Sequence, residues 1–354
     1  MTFNIAHTTG DAWSESDIAT IENEFNRVTN TSGIWPRTVP DVKYLQFGNA
    51  INNIVMCSAT TFVGTDNAAT YTGVLSGNKI TWTGVDDKLT SPKGLVTCDA
   101  DSTKLIAWSS TAVSFSIDSG ATWTLFTTAP PNLGEIYNCH YITADFAIIA
   151  GDASLANDGW KNTNPDGDGA WSQIANGTMT TLTKLCKMYS ATAGYFVDNS
   201  DNIFTYNAST DTVTDTTHDA SEQNGEIIFL TSSSFIHVSG NKHAVTNDLE
   251  VGYYDGTQNE IVVCKRGGAM CPSNIIKATN NYYYFVAFPS GTTDGTISLF
   301  KSSDGLSWQE YIIGTMFGIN TNAIYGPQLT EYTTNKFIFH MSGIGGIIDE
   351  TKGA

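Results

Sequence analysis

Asn53-Ile54-Val55-Met56-Cys57-Ser58-Ala59-Thr60-Thr61-Phe62-Val63 holds two short apolar runs separated by a polar turn. The pattern recurs along the chain. Cys57, Cys98 and Cys139 are spaced 41 and 41 residues apart, Cys186 follows 47 later, and each closes a short apolar run such as Leu95-Val96-Thr97. The same slot continues without sulfur at Leu230, Ala278 and Gly326, at steps of 44, 48 and 48, making seven equivalent positions. A second apolar run follows each slot: Phe62-Val63, Leu105 to Trp108, Phe146 to Ala150, Tyr195 to Val197, Phe235 to Val238, Tyr283 to Ala287 and Phe337 to Met341. Continuous runs of this length, bounded by Gly, Asn, Asp and Ser, read as strands buried on both faces.

Third and fourth segments close each unit, as in Ala112 to Ile117 with Thr122 to Phe126, or Ile297 to Lys301 with Trp308 to Ile312. Four strands in about 45 residues, seven times over, predict an all-β chain folded as a seven-bladed β-propeller. The last unit lacks a fourth strand before Ala354, and Lys43-Tyr44-Leu45-Gln46-Phe47 stands where one is needed. This segment is expected to close the ring, because an unpaired strand edge frays and aggregates. The expected domains are an arm over 1–42 and the propeller over 43–354.

Composition agrees with that architecture. The 354 residues carry 17 Lys and Arg against 35 Asp and Glu, a formal charge of −18, yet only 15% of residues are charged. Such a balance argues against nucleic-acid and anionic-membrane partners, which need clustered basic residues. No run of about 18 apolar residues is present, and Met1 to Gly10 has neither the basic start nor the apolar core of a signal peptide.

One turn carries a motif. Ser116-Ile117-Asp118-Ser119-Gly120-Ala121-Thr122-Trp123 fits S-x-D-x-G-x-T-W at Ser116, Asp118, Gly120, Thr122 and Trp123. A shorter form uses Ser302, Asp304, Gly305 and Trp308; degraded forms run from Ser76 to Trp82 and from Asn164 to Trp171. Asp and Ser side chains can bond turn amides, Gly accepts a positive φ, and Trp buries its ring on the sheet, so the expected role is structural. On these residues the stretch from Lys43 to Ala354 resembles the Asp-box (BNR-repeat) propellers, which include sialidases, family 74 glucanases, sortilin-type receptors and photosystem assembly factors. The resemblance implies a fold and no particular activity. It also implies that the boxes lie on the face opposite the usual ligand site.

A sialidase-like site needs three arginines around the substrate carboxylate. Only Arg266 lies within the repeats, since Arg27 and Arg37 precede them, so that clamp cannot be built. Other glycosidases need two carboxylates, for which Asp86, Asp87, Asp158, Asp219 and Glu222 are loop candidates. The six histidines are scattered, with no H-E-x-x-H and no G-x-S-x-G; His237 and His243 could share a metal only if the chain between them folds back. No cofactor is expected, although Asn164 to Asp168 and Asp198 to Asn202 carry oxygen groups suited to structural calcium. The repeat cysteines read as small buried hydrophobes, and Cys264 and Cys271 as a disulfide candidate in an oxidising surrounding.

In the arm, Ile18, Ile21, Phe25 and Val28 form one helical stripe and Trp35 a further anchor. The stripe needs a surface, either the propeller's flank or a partner. The layout and composition resemble those of bacteriophage virion proteins, which leave the cell by lysis and need no export signal. The expectation is therefore a non-enzymatic structural or receptor-binding subunit of a viral particle, with a cytoplasmic protein as the alternative location. The arm would attach to other virion proteins and the propeller would present a surface to a host glycan. Candidate ligand residues are Asp158, Trp160, His243, Lys265, Arg266 and Phe317, placed in loops joining second to third strands and one unit to the next. A glycoside hydrolase acting on bacterial surface polysaccharide is the competing expectation.

Overall fold

The computed structural model describes residues 40–45, 51–131, 133–153, 159–174, 179, 183–198, 200, 202–219, 227–239, 249–256, 259–265, 270–289, 295–316, 328–341 and 344–351. These residues form strands and turns, with no helix among them. The chain enters through β1 (Asp41–Tyr44). Unit 1 holds β2 (Asn53–Met56), β3 (Thr61–Thr65), β4 (Thr70–Ser76) and β5 (Lys79–Val85). Unit 2 holds β6 (Gly94–Cys98), β7 (Asp101–Trp108), β8 (Val113–Ser116) and β9 (Thr124–Leu125). Unit 3 holds β10 (Leu133–Thr143), β11 (Phe146–Ala153), β12 (Gly159–Asn162) and β13 (Ser172–Gln173). Unit 4 holds β14 (Thr183–Ser190), β15 (Ala193–Asp198), β16 (Asn202–Asn207) and β17 (Thr212–Asp219). Unit 5 holds β18 (Ile227–Phe229), β19 (Phe235–Ser239), β20 (Leu249–Tyr254) and β21 (Asn259–Lys265). Unit 6 has an inner strand in two pieces, β22 (Met270–Pro272) and β23 (Ile276–Lys277), then β24 (Tyr283–Pro289), β25 (Gly295–Ser302) and β26 (Gln309–Met316). The last unit holds β27 (Gln328–Thr333), β28 (Lys336–Met341) and β29 (Ile344–Asp349).

Within each unit consecutive strands pair antiparallel, and the last unit takes its fourth strand from the other end of the chain. β1 pairs with β29 from Asp41↔Asp349 to Tyr44↔Gly346, and the Leu45 amide donates to the Gly345 carbonyl at 3.0 Å. The closing strand thus begins two residues before Lys43; Gln46 and Phe47 lie outside the described residues. The inner strand of the last unit also departs from the repeat reading. It is β27, Gln-Leu-Thr-Glu-Tyr-Thr, two residues beyond the slot placed at Gly326. Only Leu329 in it is buried, so no apolar run marks it.

What holds the units together is packing between neighbours. Strand β7 points Leu105 and Ala107 toward unit 1 and Ile106 and Trp108 toward unit 3. Strand β24 likewise sends Tyr283, Phe285 and Ala287 to unit 5 and Tyr284, Val286 and Phe288 to the last unit. Successive side chains on a strand face opposite ways, so a sheet sandwiched on both sides needs unbroken apolar runs. Seven such clusters occur among the described residues, each joining one unit to the next. The cluster of Leu45, Ile51, Ile54, Phe62, Ile338 and Ile347 joins the last unit back to the first. That circular order is a β-propeller.

Two turns share one set of bonds. In unit 2, Ser116 Oγ accepts the Gly120 amide at 3.0 Å, Asp118 Oδ1 accepts the Thr122 amide at 2.8 Å, and Trp123 Nε1 donates to the Gly120 carbonyl at 3.0 Å. In unit 6, Ser302 Oγ accepts the Gly305 amide at 2.8 Å, Asp304 Oδ1 accepts the Ser307 amide at 2.8 Å, and Trp308 Nε1 donates to the Gly305 carbonyl at 3.0 Å. Gly120 and Gly305 both sit at φ +80°, which explains the glycine. The two degraded matches fold differently. β4 and β5 are joined by a two-residue hairpin with Gly77 at φ +60°, leaving no such loop. From Asn162 to Trp171 the loop is organised by Asn162, whose Nδ2 donates to the Gly169 carbonyl at 2.7 Å.

Candidate functional site

Antiparallel order puts the inter-unit linkers and the second-to-third loops on one face, and the Asp118 and Asp304 turns on the other. Of the ligand residues expected on the linker face, Asp158, His243, Arg266 and Phe317 lie outside the described residues, as do Ile18, Ile21, Phe25, Val28 and Trp35 of the arm. Lys265 is the last residue of β21, paired with Leu249, and its side chain lies outside the description. Trp160 corrects the expectation of an exposed loop aromatic. It lies in β12 with 0% exposure, packed in the cluster between units 2 and 3, and Nε1 donates to the Pro131 carbonyl at 2.8 Å. No ring face is left for a sugar.

Of the acids on this face, Asp86, Asp87 and Asp198 are occupied in local bonds. Asp87 is buried, accepting the Thr70 hydroxyl on Oδ2 and the Leu89 amide on Oδ1. Exposed Asp86 pairs with Lys88. Asp198 accepts the Ser200 and Asn202 amides at 2.8 and 2.9 Å, an Asx turn. Asp219 ends β17 with its side chain outside the description, and Glu222 lies outside it altogether. In the other segment suited to calcium, Asp166 accepts Lys104 Nζ at 2.6 Å while Asp168 accepts the Thr127 amide and hydroxyl, both at 2.9 Å. Among the described residues no group of three or more His, Cys, Asp or Glu is placed to hold a metal ion. His237 is buried in β19, and the Cys264 side chain lies outside the description.

Sequence reading missed a constellation at the start of β10. Its pairing with β11 runs Leu133↔Ala153, Glu135↔Asp152, Ile136↔Gly151 and Asn138↔Ala150, so Gly134 and Tyr137 are each an extra, unopposed residue. Two β-bulges three residues apart turn this strand end and re-aim its side chains. Gly151 makes the approach possible, since a Cβ there would lie 2.3 Å from the Glu135 carbonyl oxygen. The Ile136 amide bonds the Ser110 carbonyl of unit 2 at 3.1 Å, which places the bulges among the loops of the linker face. Glu135 Oε1 pairs with Lys93 Nζ, and the Tyr137 hydroxyl donates to Glu135 Oε2 at 3.0 Å. Tyr137 is 36% exposed. The Lys93 ammonium, ahead of the opposing effect of burial, holds the Glu135 carboxyl below its usual range. Glycines at 134 and 151 flanking Glu-Ile-Tyr were the available signal.

Side-chain bonds stitch neighbouring inner strands. Gln328 Oε1 accepts the Ile54 amide at 2.7 Å; Asn274 Nδ2 donates to the Leu329 carbonyl at 2.9 Å and its Oδ1 accepts the Leu329 amide at 2.8 Å. His140 spans three units. Nδ1 accepts the Met188 amide and Nε2 faces Asp99 Oδ2, each at 2.9 Å, so both ring nitrogens are engaged in holding the frame. Burial raises the Asp99 carboxyl, but the hydrogen bond and charge of His140 together with the charge of Lys187 outweigh it and leave it below its usual range.

No family model matches the chain, and no curated protein does. Solved structures do. YCF48 bound to a D1 peptide has a TM-score of 0.60 at 9% identity over 89% of this chain and 99% of that one. YCF48 from Cyanidioschyzon merolae has 0.60 at 12% over 89% and 100%. The GH74 enzyme of Niastella koreensis has 0.55 at 15% over 89% of this chain and 44% of its own length. At these identities the likeness is one of architecture, and the architecture is the β-propeller.

Proposed function

We propose that this chain is a non-enzymatic receptor-binding or structural subunit of a viral particle, a phage tail or surface appendage, whose seven units are blades presenting a glycan-binding face. We read the Asp118 and Asp304 turns as Asp-box turns of a BNR-repeat propeller. The observation that carries a binding role is the use made of the described polar side chains: His140, Asp99, Asn274 and Gln328 are spent on locking blades together. A frame locked along its inner strands suits the display of loops in fixed positions. The virion assignment rests on composition and layout: few basic residues, abundant Thr, Asn and Gly, and residues 1–39 preceding the closing strand as an attachment arm.

Labelled antibody against the protein, viewed by electron microscopy on particles from a lysed culture, tests this reading. Labelling at one position on the particle supports it. Protein found only free in the cytoplasm overturns it. Release of sugars from bacterial polysaccharide, abolished by changing a single acid, would favour a glycoside hydrolase instead.

A further inference from the structure

We infer that Tyr137, Glu135 and Lys93 form a carbohydrate subsite on the linker face, for a neutral sugar with adjacent hydroxyls. This rests on the receptor-binding reading above and gives it a location. Three observations converge. The tyrosine is held out from the innermost strand by a bulge, with 36% of it exposed, beside the buried Ile136, Cys139, His140 and Tyr141 of the same strand. Its hydroxyl is tied to Glu135 Oε2, which fixes the ring's direction. Each carboxylate oxygen of Glu135 holds one bond, to Lys93 or to Tyr137, and retains a lone pair for a further donor.

The chemistry that fits is specific. A pyranose lays its apolar side on an aromatic face, and two neighbouring hydroxyls can donate to the two oxygens of one carboxylate. The Lys93 ammonium has further N–H groups for a sugar oxygen. Lys93 offsets Glu135, Asp152 directly opposite Glu135 adds a negative charge, and the chain as a whole carries −18, so anionic ligands are repelled and a neutral sugar is favoured over an acidic one. Asn53 Nδ2 donates to the Lys93 carbonyl at 3.0 Å, holding the lysine backbone in place.

The test is an array of bacterial O-antigen, capsular and cell-wall glycans that also carries basic peptides, followed by titration of the best-bound glycan. Tyr137→Ala is expected to weaken binding about tenfold, and Tyr137→Phe, which keeps the ring, less than about threefold. Glu135→Gln is expected to weaken it about tenfold while leaving the melting temperature in place, which serves should Tyr137→Ala fold poorly. Tyr282→Ala, on the opposite face, is expected to change nothing. Unchanged glycan binding by Tyr137→Ala and Glu135→Gln overturns the subsite alone and leaves the receptor reading standing. Selective capture of the basic peptides also overturns it. Failure of the unaltered protein to bind any glycan overturns both.

Discussion

Gln328, the first residue of the last inner strand, donates from Nε2 to Asn53 Oδ1 of the first inner strand at 2.9 Å, across 275 residues of sequence. The same amide accepts the Ile54 amide and faces His340 Nε2 at 3.0 Å through Oε1. One side chain therefore clasps the seam where the ring closes. Replacing Gln328 by Ala strands these partners and is expected to cost about 3 kcal/mol, read as a lower urea midpoint. A midpoint within error of the unaltered protein would refute the clasp.

Acid sensitivity should begin well above the carboxylate range. Burial pushes the His340 imidazole down from 6.5 to about 3. The unfolded chain then takes up a proton below about pH 6.5 that the folded chain refuses, so stability falls as pH falls, by up to about 1.4 kcal/mol per pH unit. His340→Gln should flatten the slope between pH 6.5 and 5; an unchanged slope would contradict this.

A second loss should appear below about pH 4. Ser307 and Leu306 amides hold Asp304 below its usual range, and in Asp118 the bonds from Thr122 and Ser116 outweigh the raising effect of burial. Both carboxylates therefore add stability above the unfolded value of 3.8 that disappears as pH drops through their folded values. The Asp118→Asn, Asp304→Asn double variant should lose stability at pH 7 and show a shallower decline below pH 4.

Trp160 is a fully buried member of the core between units 2 and 3. Trp160→Ala is expected to destabilise by about 3 to 5 kcal/mol and to leave glycan binding per folded molecule unchanged. Selective loss of binding with normal stability would show the ring to be a ligand contact.

Gly151→Val should push on the Glu135 carbonyl and cost about 2 to 3 kcal/mol. Binding should fall with it if the double bulge positions the subsite. A well-folded variant that binds normally would detach the bulges from recognition.

The wheel was legible because middle strands such as Leu105 to Trp108 are covered on both faces and must be apolar throughout. The inner strand β27 was not, since only Leu329 is buried among polar neighbours. Trp160 misled for a related reason: Asp158-Gly159-Trp160 reads as a loop, while Trp160 and Lys161 pair with both neighbouring strands. The Glu135 and Tyr137 cluster was hidden because bulges arise from the register of two strands, and neither strand alone encodes it. The matching turns around Asp118 and Asp304 were plain because their bonds are local.

Everything depends on the ring being closed by β1. Two truncations isolate it: one removing residues 1–39, which keeps Asp41 to Tyr44, and one removing residues 1–45, which deletes them. The first should melt cooperatively, and the second should melt at a much lower temperature with early exposure of the β29 edge to hydrogen exchange. Equal melting and equal protection of Gly345 to Asp349 in the two proteins would contradict closure by this strand.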